Sequence, residues 1–488
     1  MDSRFWKITA NILVITLLHY ILSKDFFTKM VIYFQDLEMP SYNPPNTDQQ
    51  KREQIRQAMK NAWDAYSKYA WGYDFLNPIT LQGENLHGLG YTIIDSLDSL
   101  LLMGLNDEYK SAVNWIENSF NYSEQTSFFE TVIRAVGGLL TAYEQTYDPL
   151  LLDTAKKIAD RISFAFHPDN ALPRVLVNMF TGELYDHSWA NMSTLLSDAG
   201  SCQLEFLALS YHTGNYKYFD TAMEARANLI SLGPVPPTRI LYRHLWPEPP
   251  IYSLDAFGDS YFEYLVKLKV YAPMNTTFPN EFREAFDEIE NRLTFTSWKS
   301  GLTYVTTALS DQYSHQFSHL SFFLPGTLYL AAQDDPEYRE KYIKLADELL
   351  DSAIKLHQMQ PTFLGGESIQ ITAKSPGVYW DDDTYNLRPE FVESLFYCWR
   401  FTHNETIKKI AWKVFRSIKR YCLTTSGGFS SVHGTTSEIV FYDDIQDSYF
   451  LSETLKYLYL IFCDDDVYSL DDYVFTTQAH PLKKLKKW

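Results

Sequence analysis

The chain has 488 residues, 45% of them hydrophobic and 16% aromatic, which is ample for a large buried core in one domain or in two to three smaller ones. A formal net charge of −19 argues against nucleic acid as a partner, because such binding depends on Lys and Arg neutralising phosphates. The acidity suits a neutral or cationic partner, or a site dense in carboxylates.

The N-terminus reads as a targeting element. After Arg4 and Lys7, residues 8–22 are almost wholly apolar, interrupted only by Thr9, Asn11, Thr16, His19 and Tyr20. The run is shorter than the ~20 residues that comfortably span a bilayer. No small-residue cleavage site follows Leu22, so the favoured reading is an uncleaved signal anchor rather than a cleaved peptide. Residues 1–37 are then a cytoplasmic tail and membrane anchor, residues 38–50 a stem with three Pro, and residues 51–488 a single lumenal body. Four sequons, at Asn121, Asn191, Asn275 and Asn404, agree with a lumenal location. The four cysteines, Cys202, Cys398, Cys422 and Cys463, show no metal-ligand spacing and read as buried free thiols.

From Lys51 onward, apolar residues recur at helical spacing. Ile133, Val136, Leu140 and Tyr143 mark one helix, Leu204 to Ser210 another, and Phe391, Leu395, Phe396 and Trp399 a third. Strand alternation is confined to short runs such as Tyr304–Thr307 and Glu438–Phe441, which fit hairpins between helices. A body of roughly 440 residues at ~60 per helix pair makes about seven pairs. These could close into a toroid or stack as an open solenoid, and periodicity does not separate the two.

Several acids sit within apolar helical runs rather than on solvated faces. Glu130 and Arg134 are one turn apart, as are Asp259 and Glu263. Pro389 is placed to open a helix whose first turns hold Glu390 and Glu393, where the helix dipole favours anions. Glu205 and Glu453 lie in similar aromatic-rich segments. Singly, each is better explained by structure than by chemistry. Converging on one cavity, they would raise some pKa values and leave others ionised, as hydrolysis of a glycosidic bond requires.

These segments resemble the signature stretches of the class I α-1,2-mannosidases, glycoside hydrolase family forty-seven. The matches run in order from about Ala62 to Pro481. They include Ala70-Trp71-Gly72-Tyr73-Asp74, residues 92–100, residues 129–140, residues 259–265, Arg388-Pro389-Glu390, residues 453–460 and Ala479-His480-Pro481. The resemblance implies an all-α (α/α)7 barrel with minor β-hairpins and hydrolysis with inversion. It matches Glu130 to the general acid, Glu390 to the general base and Asp259 to a third essential carboxylate. Arg134, Glu205, Glu263, Glu367, Arg388, Glu393 and Glu453 match cavity residues that bind substrate. Thr477 matches the residue that holds a Ca2+ ion through its carbonyl and side-chain oxygens, with waters completing the shell. The implied substrate is the high-mannose N-glycan of glycoproteins. The implied setting is a monomeric, single-pass type II enzyme of the endoplasmic reticulum or Golgi membrane.

Two positions depart from the family pattern. Gln478 stands where Glu is usual, next to the calcium-binding Thr477, and Phe322 stands where many members carry a disulfide-bonded Cys. Two other functions compete with the enzyme. One is a mannose-recognising quality-control factor with weak or no hydrolysis, and the other is a helical interaction scaffold without a focused carboxylate cavity.

Overall fold

Two apolar patterns build two kinds of helix. Glu405–Tyr421 buries Ile407, Ala411, Val414, Phe415 and Ile418 along one stripe and turns Lys409, Lys413, Arg416 and Lys419 to solvent. Asn404 caps it, the side-chain oxygen accepting from Thr406 N at 3.0 Å. Asp259–Tyr271, by contrast, is buried on every side from Ser260 to Leu268, the pattern of a helix enclosed by other helices.

The computed structural model describes residues 47–166, 171–185, 193–241, 250–273, 281–310, 312–374 and 377–486. Taking runs broken by a single turn as one helix, the described residues form fourteen main helices. The odd-numbered ones are amphipathic: α1 (Asp48–Tyr69), α3 (Asn106–Asn118), α5 (Pro149–Ile162), α7 (Lys217–Ile230), α9 (281–293), α11 (Arg339–Met359) and α13 (Glu405–Tyr421). The even-numbered ones are buried nearly all round: α2 (91–102), α4 (128–146), α6 (196–213), α8 (Asp259–Tyr271), α10 (320–334), α12 (Glu390–Thr402) and α14 (450–461).

Each even helix packs on the next, and α14 returns to α2. That closure makes the body an (α/α)7 barrel and excludes the open solenoid. Every odd helix carries the chain back, so the even helices run in parallel and present their N-termini at one end. Small antiparallel sheets of two or three strands fill the connections. The last hairpin, Tyr473–Phe475 paired with Pro481–Lys483, packs against α4 and α8.

The first helix begins at Asp48, so the last three residues assigned to the stem are helical. Asp48 accepts from Lys51 at 3.2 Å and from Lys408 of α13 at 2.6 Å, which ties this helix start to the barrel. The anchor, residues 38–46 of the stem, and the sequons at Asn191 and Asn275 lie outside the described residues. No helix among the described residues is long and apolar enough to cross a membrane. All four cysteines are buried and free, as their spacing suggested.

Candidate active site

Three inner-helix N-termini deliver the mouth carboxylates. Ser127 caps α4, its hydroxyl accepting from Glu130 N at 3.2 Å, which fixes Glu130 in the first turn. From Thr131 to Val136 the helix widens to π geometry, an expansion common at functional sites. Arg134 still reaches back across it, with Nε donating to Glu130 Oε2 at 2.6 Å. The other end of the guanidinium binds Asp447 Oδ1 and Ser448 Oγ, each at 2.6 Å.

Asp259 is the first residue of α8, and Glu390 the first of α12, directly after Pro389. Burial pushes Asp259 up to about 7, with the charges of Asp255 and Glu263 adding to the rise. Burial likewise pushes Glu390 up to about 8; Arg388 pulls it down, while Glu367 and Asp259 push it further up. Asp259 and Glu390 therefore sense one another across the mouth. Glu390 and Glu130 are not sealed off from solvent: the Glu390 side chain is 15% exposed and that of Glu130 is 25% exposed. Glu367 completes this level, both of its oxygens accepting from Arg388 Nε at 2.8 Å.

Below the mouth lies a second tier. Glu263 is one turn down α8 from Asp259, ~6 Å along the axis. Lys267, a further turn down, donates to Glu263 and lies 3.6 Å from Glu393 Oε1. Burial and the nearby Glu263 charge hold Glu393 up at about 8. Burial raises Glu453 well above the usual carboxylate range, with Glu390, Asp95 and Glu393 contributing. Glu453 sits on a second π-helical stretch, Phe450–Thr454. Burial takes Glu205 to about 8, although Tyr264 OH donates to it at 2.7 Å. The acids and arginines singled out in the sequence are thus linked to one another, at and below the inner-helix N-termini, by shared contacts and charges.

Sequence reasoning missed several members of this group, Asp447, Asp198 and Asp95 among them. Asp198, on α6, is buried, and its pKa is raised well above the usual range by burial and by the charges of Glu130 and Asp259. It lies in Leu196-Ser197-Asp198-Ala199-Gly200, a short stretch with no arginine or helix-opening proline to single it out. Asp95 lies on α2 within one of the matched stretches. It accepts from Ser448 Oγ, from Ser452 Oγ at 3.0 Å and from Gln478 Nε2 at 3.0 Å, and its other oxygen is 3.1 Å from His480 Nε2.

The turn of the C-terminal hairpin forms the floor. Two fully buried lysines hold it: Lys267 Nζ donates to Thr476 O at 3.3 Å and Lys456 Nζ to Ala479 O at 2.7 Å. Between these carbonyls lie Thr477 and Gln478. Tyr264 OH, already donating to Glu205, accepts from Thr477 N at 3.3 Å.

Against this geometry, the model of glycosyl hydrolase family 47 matches residues 58–484. The chain belongs to glycosyl hydrolase family 47. It is 37% identical over 452 residues to a mannosyl-oligosaccharide 1,2-α-mannosidase of Arabidopsis thaliana, covering 89% of this chain and 79% of the relative. Human mannosyl-oligosaccharide 1,2-α-mannosidase IB is 34% identical over 464 residues, covering 91% and 71%. The endoplasmic reticulum mannosyl-oligosaccharide 1,2-α-mannosidase of Rattus norvegicus is 33% identical over 455 residues, covering 90% and 68%. Among solved structures, an α-1,2-mannosidase from Trichoderma reesei superposes with a TM-score of 0.83 at 24% identity, over 90% of this chain and all of that one, and shares the barrel fold.

The carbonyl and hydroxyl of Thr477 accept no hydrogen bond among the described residues, and one oxygen each of Glu205 and Glu390 is buried without a hydrogen-bond partner, that of Glu390 lying 3.8 Å from His319 Nε2. Among the described residues no group of three or more His, Cys, Asp or Glu side chains is placed to hold a metal directly. Hard oxygen donors of Thr477 with carboxylates set back from them suit Ca2+ held partly through water. A divalent charge there would also offset the crowding of Glu263, Glu393 and Glu453. Both departures from the family pattern have local counterparts. The Gln478 amide donates to Asp95, where a carboxylate would repel it. Phe322 packs edge-on against Phe317 at 5.0 Å and beside His319 at 5.0 Å, filling the position with aromatic contacts.

Proposed function

We propose that the protein is an exo-acting, calcium-dependent α-1,2-mannosidase that removes terminal α-1,2-linked mannose from high-mannose N-glycans of glycoproteins, with inversion. It acts as a monomer on the lumenal side of the endoplasmic reticulum or Golgi membrane. The observation that carries this reading is the meeting of Glu130, Asp259 and Glu390 at one mouth, close enough for the charge of Asp259 to raise Glu390. The names of the relatives supply the substrate class.

In the mechanism, Glu130 is the general acid that protonates the leaving oxygen, and Glu390 is the general base that takes a proton from the attacking water. Arg388 and the start of α12 favour the ionised form that Glu390 needs. The second tier and Arg134 hold the terminal sugar's hydroxyls. Bound at Thr477, Ca2+ would supply positive charge and oxygen coordination at the floor. A second assignment of the acid has its own support: Asp259 has no ion-pair partner among the described residues, and burial holds its proton up to about 7, while Glu130 is paired with Arg134.

Digestion of a nine-mannose glycan, with isomer-resolved products and with or without chelator, tests the reading. Glu130→Gln, Asp259→Asn and Glu390→Gln should each abolish mannose release while still folding, and chelation should do likewise. α-Mannosyl fluoride, whose leaving group needs no proton, identifies the acid: only the acid-deficient variant keeps turnover on it. Undiminished release by Glu390→Gln overturns the site. The quality-control reading draws on Gln478, an uncharged residue beside Thr477. Glycan binding by the wild-type protein without mannose release would favour it.

A further inference from the structure

Asn121 lies in the exposed, extended link between α3 and α4, within the triplet Asn121-Tyr122-Ser123. Its side-chain oxygen accepts from Tyr122 N at 2.9 Å, and its Nδ2 makes no hydrogen bond among the described residues. Aromatic rings flank it. Tyr122 meets Phe120 edge-on at 5.5 Å and Phe180 edge-on at 6.1 Å. Arg161 holds this shelf: its guanidinium lies 4.0 Å from the Tyr122 ring centre and donates to Met179 O at 2.8 Å. Met179 N in turn donates to Ser123 O at 3.2 Å, joining the Phe180 turn to the sequon. Yet Phe180 is left 50% exposed and Phe164, beside the same turn, 52% exposed. Adjoining exposed apolar rings on a folded surface mark a place that something covers.

We propose that Asn121 is N-glycosylated and that the first sugar of its glycan packs on the Tyr122–Phe180 shelf. The inference rests on the lumenal placement proposed above. In the transfer, Asn121 Nδ2 bonds to C1 of the first N-acetylglucosamine of a polyprenyl-diphosphate-linked oligosaccharide. The C1–O bond breaks, its electron pair leaves with the lipid diphosphate, and Nδ2 gives a proton to a base of the transferring enzyme. Attachment at Nδ2 leaves the side-chain oxygen free to keep its bond to Tyr122 N. The sugar's C–H face then covers apolar ring surface that water otherwise meets. Asn404 is exposed as well, but its side-chain oxygen is taken up in capping α13, and its nearest ring pair is His403 edge-on to the buried Trp399 rather than an exposed phenylalanine, so it serves as an internal comparison.

The test is expression of the full chain in a eukaryotic secretory cell, with glycopeptide mass spectrometry and thermal melting. Position 121 should carry glycan, and Asn121→Gln and Ser123→Ala should each remove one glycan from the protein. Complete removal of glycan should lower the melting midpoint by about 1–3 °C. An endoglycosidase that leaves the first sugar in place should not. In Phe180→Ala the drop should vanish, and in Thr406→Ala, which blocks only Asn404 and spares its cap, it should persist. Glycan at Asn404 with Asn121 bare overturns the proposal and leaves the lumenal reading standing. All four sequons bare in the secreted or membrane-bound protein overturns both. An occupied Asn121 whose removal costs Phe180→Ala the same shift as the unsubstituted protein overturns the shelf.

Discussion

Lys456→Met puts the floor of the barrel to the test. Lys456 Nζ lies 2.7 Å from Asp98 Oδ2 with both side chains fully buried, and it also donates to Ala479 O at 2.7 Å. Burial opposes the Asp98 charge, yet Lys456 and His480 together hold its pKa below the usual value. Removing one partner of a buried pair leaves an uncompensated charge and costs about 3–5 kcal/mol. In a body this large, that corresponds to a fall in melting midpoint of roughly 3–5 °C. The pH dependence carries the sign. A depressed folded-state pKa contributes stability above the unfolded value of about 3.9, and that stability is lost as pH falls through the folded value. The wild-type contribution of this pair is therefore constant between pH 7 and pH 5. In the variant Asp98 escapes its cost by taking up a proton, so the gap between the two proteins should be widest at pH 7 and narrow towards pH 5. Asp98→Asn with Lys456→Met should recover much of the loss, because removing both charges leaves no unpaired ion. Scanning calorimetry at both pH values decides it. An unchanged midpoint, a gap that does not vary with pH, or a double variant no better than the single one would refute the reasoning.

Other expectations follow from the same electrostatics. Glu205 is raised to about 8, so the folded protein binds a proton there that the unfolded chain has released above about pH 4, and stability falls as pH rises between these values. Glu205→Gln, which keeps the oxygen that accepts from Tyr264, should therefore melt higher than wild type at pH 8 and close to it at pH 4.5. Gln478→Glu replaces a donor 3.0 Å from Asp95 with a second carboxylate. In chelator it should melt at least 2 °C lower than the unsubstituted protein. Excess Ca2+ should shrink that deficit, and a deficit equal in both conditions would separate Gln478 from the cation site.

Much of the fold could be read from the chain because helical burial is a periodic property. The stripe from Ile407 to Ile418 marks an outer helix, and the unbroken apolar run around Glu263 marks an inner one. Pro389 located the start of α12, and hence Glu390, because proline favours a helix's first turn. The site residues needed more. Spacing put Glu130 beside Arg134, but the bond of the same guanidinium to Asp447, more than three hundred residues away, depends on the closed barrel, and no local signal announces it. Asp198 escaped notice for a related reason: what distinguishes it is burial near Glu130 and Asp259, which are far from it in sequence.

The sequence by itself determined which stretches become helices, which of them are enclosed, and where acids enter otherwise apolar runs. These are set by side-chain chemistry over one or two turns. Only the tertiary structure decided that the helices close into a ring and that seven parallel N-termini bring Glu130, Asp259 and Glu390 to one mouth. It also decided that a hairpin from the far end of the chain is clamped beneath them by Lys267 and Lys456. Contacts across hundreds of residues, such as Lys456 with Asp98 and Gln478 with Asp95, depend on how the whole barrel closes. The raised pKa values of the carboxylates depend on that closure too, because burial and like-charge crowding exist only once the ring has formed.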